Sequence, residues 1–267
     1  MAKVQIILTY LAALALAFWV LTPIILVTLS AFADPRDYYN VMKLLPSSFT
    51  LANIYELLFV LGTWRNVITS LAVAVLAILI SMGLGVPAGY VLARYSFRGR
   101  DTLKLTIMGL RAFPLIVVAV PLTVIFMQVG IADSILGVAL AHSILAIPIV
   151  IFMAYSTFAG IPTQIEEAAY IDGLDEFSAF LRVTLPVSAP GLAAIAIQVF
   201  IISWNETFIA GILTLRNRTL PPEILASILT APDPYKFAGA LIMMLPAVLF
   251  TFLLRKRLIA AWGITLR

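Results

Sequence analysis

Six long apolar runs, at about residues 6–32, 67–93, 105–129, 135–161, 184–204 and 237–254, constrain this chain more than any other feature. Each is near or above the roughly 20 residues that a helix needs to cross about 30 Å of hydrocarbon. The last is the shortest and contains Pro246. Barrel strands would alternate over segments of about ten residues, whereas these runs are apolar on every face. Backbone in lipid must satisfy its own N–H and C=O groups, and a helix does so within one segment. The expected fold is an all-α polytopic membrane protein with six transmembrane helices. They take more than half of the 267 residues, so 1–267 reads as a single transmembrane domain in the plasma (inner) membrane.

Composition agrees. Apolar residues make up 63% and charged residues 11%, against about 45–50% and about 25% in soluble domains. With no cysteine and a single histidine, His142, disulfides, thiolate chemistry and histidine metal clusters are excluded. Neither G-x-S-x-G nor H-E-x-x-H occurs. No catalytic residue, no metal site and no cofactor held by this chain are expected. The net charge of +4 does not mark a nucleic-acid partner, because the basic clusters sit beside helix ends, where they anchor the membrane.

Basic residues also set the orientation. Lys3, Arg94, Arg98, Arg100, Lys104, Arg182, Arg255, Lys256, Arg257 and Arg267 fall on one side, and Arg36, Lys43, Arg65, Arg216, Arg218 and Lys236 on the other. The positive-inside rule then puts both termini and the loops at 94–104 and 161–183 in the cytoplasm. Ala31-Phe32-Ala33 imitates a signal-peptide cleavage site. The apolar stretch before it is longer than a signal's usual 7–15 residues, so it reads as an uncleaved first helix.

Outside lie two connections. Residues 34–66 carry a short amphipathic helix over 49–59, with Thr50 as its expected N-cap. Residues 211–236 are stiffened by Pro221-Pro222 and Pro232-Asp233-Pro234. The inner loop at 161–186 is the most informative. Ile165, Ala168, Ala169 and Asp172 follow helical spacing, Gly173 interrupts it, and Leu174, Phe177 and Leu181 share a face in a second segment. Five acids, Glu166, Glu167, Asp172, Asp175 and Glu176, face one base, Arg182. So acidic a loop does not lie on anionic lipid. Its apolar stripe is covered either by the chain's own helix ends or by a groove on a cytoplasmic partner.

Glu167-Ala168-Ala169, Gly173 and then Val183-Thr184-Leu185-Pro186 resemble the EAA signature of membrane subunits of ABC importers. Ile171-Asp172-Gly173, Pro190-Gly191-Leu192, Trp204-Asn205-Glu206, Arg111-Ala112-Phe113-Pro114, Pro121-Leu122 and Asn53 are similar to the carbohydrate, maltose-type branch. The resemblance implies two permease subunits, usually different, two cytoplasmic ATPases that bind ATP and Mg, an external solute-binding protein, and a carbohydrate as cargo. It assigns 163–182 to ATPase coupling, with Glu166, Glu167, Ala168, Ala169, Asp172, Gly173, Leu185 and Pro186 as the coupling residues. Glu167 would meet a basic residue, the alanines would permit close approach, and Gly173 would make the bend. The four residues after Gly263 are a departure, since many members carry a longer tail there.

Polar groups inside apolar runs are costly, at roughly 2.5–3.5 kcal/mol for a central charge, so they face a cavity, a neighbour or the interface. Gln128, Gln198, Trp204, Asn205, Glu206 and Arg111 are therefore the candidates for the path or its gates. Trp204 would offer an aromatic face to sugar. Glu206 and Asn205 equally suit helix-to-helix contacts, and Arg111 equally suits snorkelling to headgroups. His142 reads as a hydrogen-bonded helix contact. The function expected is import of an oligo- or disaccharide by alternating access. Alternatives are the same machine for a glycerol-phosphate-like or other small polar solute, and an ion-coupled secondary transporter, for which no inverted repeat is seen.

Overall fold

A computed structural model of the chain describes residues 2–39, 45–227 and 230–261. Lys43 and the short C-terminal tail after Ala261 lie outside the described residues. Twelve α-helices follow in chain order among these residues: α1 Ala2–Ala31, α2 Ala52–Tyr55, α3 Trp64–Arg94, α4 Arg100–Gly109, α5 Leu115–Gln128, α6 Ile135–Ala159, α7 Gln164–Ile171, α8 Glu176–Ala179, α9 Leu185–Asn205, α10 Phe208–Leu213, α11 Leu220–Ser227 and α12 Asp233–Ala261. Among the described residues the one β-type pairing is an isolated antiparallel bridge between Ala33 and Phe49.

Among the described residues, five stretches are long and apolar enough to cross a membrane: Val4–Ala31, Trp64–Arg94, Ile135–Ala159, Glu176–Asn205 and Asp233–Phe250. The third run departs from the expected continuous helix. It is two pieces, Arg100–Ala112 and Leu115–Gln128, bent by 90°. The break falls at Phe113-Pro114, where both residues are extended (ψ 128° and 133°). Proline drives the residue before it out of the helical region and offers no N–H of its own. Counting the bent pair as one, the spans number six. Pro23, Pro87, Pro121, Pro148, Pro190 and Pro246 instead remain inside helices.

The chain divides into two compact units, 1–65 with 223–267, and 66–222. In the first, α1 packs along α12, and Tyr38 stacks on Phe237 with ring centroids 5.7 Å apart. Asn53 is buried and donates through Nδ2 to Ala31 O (3.1 Å) and Ala33 O (2.8 Å), closing the open end of α1. Thr50 accepts the Ala52 N–H at 3.0 Å, but the helix starts after Leu51 and continues through Val60 as a wider π turn. The amphipathic pattern of 49–59 is visible as buried Asn53 and Leu57 opposite exposed Tyr55 and Phe59.

In the second unit, α3, α6 and α9 share a core of Val86, Tyr90, Val150, Phe158, Phe180 and Ile195, among others. Gly85 and Gly89 let α3 touch α6. A Cβ on Gly89 would stand 2.6 Å from Ala154 Cβ and 2.8 Å from Ile151 O. A second cluster gathers α5, α6 and α10 around Ala119, Phe126, Val138 and Ile209.

Candidate functional site

The segment between α6 and α9 is built from local signals. Glu166 and Glu167 lie in the first turn of α7, where carboxylates complement the exposed N–H groups. The helix ends in a Schellman motif: Leu174 N–H donates to Ala169 O and Gly173 N–H to Tyr170 O, both at 3.0 Å. Gly173 takes φ +86°, and the space around it is open. This glycine serves conformation rather than close packing.

The second segment is not a separate helix, as the sequence had suggested. Glu176–Ala179 runs through a π turn, Phe180–Thr184, straight into α9. Pro186 follows directly on this π turn, inside the continuous helix, and the wider turn makes room for a ring that cannot donate to the turn before it.

The two neighbouring glutamates of α7 part company. Glu167 and Ala168 are exposed, while Glu166 is 3% exposed and Ala169 is buried. The buried face of α7 is thus Glu166 and Ala169, rotated from the stripe of Ile165, Ala168, Ala169 and Asp172. Glu166 Oε1 accepts from Arg94 Nε and from the Thr184 hydroxyl, each at 2.9 Å, and Oε2 accepts from the Tyr90 hydroxyl at 3.2 Å. Asp172, Gly173 and Pro186 are exposed and Leu185 is half-buried. Phe177 and Leu181 are also exposed. Tyr95 donates to Glu176 Oε2 at 2.9 Å, and that bond pushes the phenol pKa up.

The path candidates are scattered. Gln128 is exposed near the end of α5, and Gln198 is half-buried in α9. Asn205 is exposed and donates to Ile201 O at 2.9 Å. Trp204 is buried and stacks on Phe200, ring centroids 5.5 Å apart. Glu206 is buried just past α9, and its carboxylate accepts the N–H groups of Ile209 and Ala210 at 2.8 Å each, capping α10. Arg111 lies in the turn Leu110–Ala112 at the 90° bend. Among the described residues it is the one charged side chain lining a cavity of about 540 Å³, which is otherwise walled by apolar side chains including Phe113, Ile144, Pro148 and Ile202.

Two groupings escaped the sequence, and a third, the helix contact expected of His142, lacked only its partner. Tyr90, Arg94 and Thr184 around Glu166 carry no joint pattern, although the helical period alone separates Glu166 from Glu167 by about 100°. His142 Nδ1 meets Ser203 Oγ at 2.8 Å, a contact between α6 and α9. Asp133, at φ +52°, accepts the backbone N–H groups of Leu215, Arg216 and Asn217 at 3.0–3.2 Å. Burial raises its pKa, but the N–H groups of Asn217, Arg216 and Leu215 outweigh this and hold it low. No group of three or more potential metal ligands occurs among the described residues.

These features can be set beside known proteins. A family model described as binding-protein-dependent transport system inner membrane component matches residues 85–262. The chain is 35% identical over 170 residues to the alpha-glucoside transport system permease protein AglG of Rhizobium meliloti (strain 1021), covering 62% of this chain and 45% of that longer relative. It is 30% identical over 225 residues to the trehalose transport system permease protein SugB of Mycobacterium tuberculosis (strain CDC 1551 / Oshkosh), covering 82% of each. Its fold resembles a chain in the crystal structure of a bacterial ABC transporter involved in the import of the acidic polysaccharide alginate, with TM-score 0.76, 20% identity, and 95% and 96% of the two chains covered. The match across two thirds of its length, together with the apolar helices, makes this chain a membrane transport subunit rather than an enzyme, and it belongs to the family of inner membrane components of binding-protein-dependent transport systems.

Proposed function

We propose that this chain is one permease subunit of an ATP-driven importer that moves a carbohydrate from an external binding protein into the cytoplasm. The relatives named for alpha-glucoside and trehalose transport support a di- or oligosaccharide as cargo. A second, different permease completes the path, and two ATPase subunits on the cytoplasmic side bind ATP and Mg. The basic residues that cluster at 94–104 support a cytoplasmic position for that loop and for 161–183.

One observation carries this reading. From α7 through Gly173 and α8 into the π turn, the chain turns Glu167, Ala168, Phe177 and Leu181 outward, so an acidic and partly apolar surface stands uncovered by the described residues. A groove on an ATPase, with a basic group for Glu167 and apolar contacts for Phe177, suits both properties. Asp172 and Gly173 form the turn, and Leu185 and Pro186 carry displacement into α9 along an unbroken helix.

For the path we assign Arg111 and the cavity at the broken third span to the wall facing cargo. Gln128, Gln198 and Asn205 supply polar groups, and Trp204 with Glu206 shapes the wall near the end of α9. Glu206 spends its carboxylate on capping α10, which supports a gate or scaffold role over direct sugar contact.

The test is co-purification of the ATPase with the permease, followed by ATP-dependent uptake in vesicles with the binding protein present. Glu167→Lys should release the ATPase and abolish uptake. Full assembly and uptake by that variant would overturn the coupling assignment, and uptake without any ATPase would overturn the ATP-driven reading.

A further inference from the structure

Of the five acids in the segment 161–186, Glu166 alone is buried. Its partners come from two other places in the chain: Tyr90 and Arg94 from the end of α3, and Thr184 from the π turn that enters α9. Arg94 and Glu166 keep only 9% and 4% of their side-chain surface, so the pair is shielded from water. A buried ion pair of this kind adds little net stability over an apolar contact, because both charges had to be desolvated. What it adds is geometry. Charge-assisted hydrogen bonds are short and directional, whereas apolar surfaces can slide.

Two local signals of α7, the exposed Glu167 in its first turn and the Schellman end, lie outside this cluster. Around the cluster the contacts continue. Tyr95, one residue beyond α3, donates to Glu176 at the start of α8. The Tyr90 ring packs on Phe180 at 4.5 Å and on Phe158 of α6 at 5.3 Å. Gly85 and Gly89 give α3 no side chain of its own at the contact, so its backbone lies directly on Val150, Ile151 and Ala154 of α6.

We infer that the Arg94 end of α3 is a second output of the coupling segment, and that Glu166 is the positioning residue that locks α7 to it. When an ATPase displaces the segment, α7, α8 and the Arg94 end of α3 move as one body. Without the lock, displacement still enters α9 through the continuous helix Glu176–Asn205 and reaches α3 only through the apolar core that α3, α6 and α9 share, whose surfaces can slide. The inference rests on the ATPase contact proposed above. Glu167 faces the partner and Glu166 faces inward, so the two adjacent acids have different tasks.

The test uses the complete transporter in vesicles, with binding protein and sugar, and reads ATPase co-purification, ATP turnover and uptake separately. Glu166→Ala and Arg94→Ala should keep the ATPase bound and hydrolysing while uptake per ATP falls about tenfold, the scale of a lost coupling of about 1.4 kcal/mol. Glu166→Gln, which keeps an acceptor for Thr184, should lose less. Unchanged uptake per ATP in both alanine variants would overturn the inference. So would release of the ATPase by Glu166→Ala, which would put Glu166 at the contact itself. Failure of the contact reading is distinguishable, because it shows in Glu167→Lys and not in the ratio of uptake to ATP.

A second measurement is independent of folding losses. The chain has no cysteine, so in this subunit the pair Tyr95→Cys and Glu176→Cys can be bridged by a short bis-maleimide, each thiol adding across one maleimide double bond, with no competing thiol in the chain. If α3 and α8 move together, the bridged protein should take up sugar at least as fast as the unbridged double variant. Arrest of uptake on bridging would mean that the two helices must separate during transport, and would overturn the inference.

Discussion

His142 Nε2 of α6 lies 3.3 Å from Glu206 Oε2 beyond the end of α9, within ion-pair distance but off the line of a hydrogen bond. Both side chains are buried. The same carboxylate caps α10, so one residue joins α6, α9 and the helix that follows. Glu206→Ala leaves the N–H groups of Ile209 and Ala210 buried without acceptors, which costs about 1–3 kcal/mol. The variant should melt several degrees lower in detergent, and Glu206→Gln, keeping one acceptor, should fall between it and the parent. A melting temperature for Glu206→Ala equal to the parent's would show that the cap is not needed.

Gly89 tests the α3–α6 contact. Any side chain there enters space held by Ala154 and by the Ile151 carbonyl, and backbone cannot yield as a side-chain tip can. Gly89→Val should cost about 1–3 kcal/mol or more through overpacking. Reduced yield of monodisperse protein and a lower melting temperature are the readouts. Gly83, on the same helix, has open space where a Cβ would stand. Gly83→Ala should therefore be neutral or slightly stabilising.

The clamp of Asp133 on residues 215–217 depends on ionisation. Its folded pKa is depressed below the ordinary value of 3.8, so the stabilisation is fully present above that value and is lost as pH falls through the depressed one. The protection of the Leu215, Arg216 and Asn217 amides, taken relative to the intrinsic exchange rate at each pH, should be high at neutral pH and fall under acid conditions below pH 3.8. Asp133→Ala should show low protection at every pH. Equal protection in the variant and the parent would remove the carboxylate from the account.

Gly173 distinguishes backbone from bulk. Its φ of +86° costs an L-residue about 1–2 kcal/mol, and a β-branched side chain fits that region worst. Gly173→Val should weaken ATPase co-purification several-fold, and Gly173→Asn, which tolerates the left-handed region, should retain most of it. Equal losses in the two variants would mean that the partner's surface, not the turn, requires glycine here.

Much of the fold is fixed by the chain's own letters. Lipid offers no hydrogen bonds to the backbone, so runs such as 135–161 and 67–93 have helix as their only stable form, whatever surrounds them. The bend at Gly173 and the acidic first turn of α7 are equally local, and the family signature rides on them. Elsewhere the local signal is ambiguous. Pro114 and Pro121 sit in the same apolar run, yet the chain breaks by 90° at the first and stays helical through the second. Glu166 and Glu167 are identical letters side by side, and only the packing of α7 on Tyr90, Arg94 and Thr184 sends one inward. His142 with Ser203, and Asp133 with Leu215 to Asn217, meet across 61 and more than 80 residues. Such contacts depend on which helix faces are left after the apolar surfaces have packed, and a sequence read one segment at a time holds no term for that.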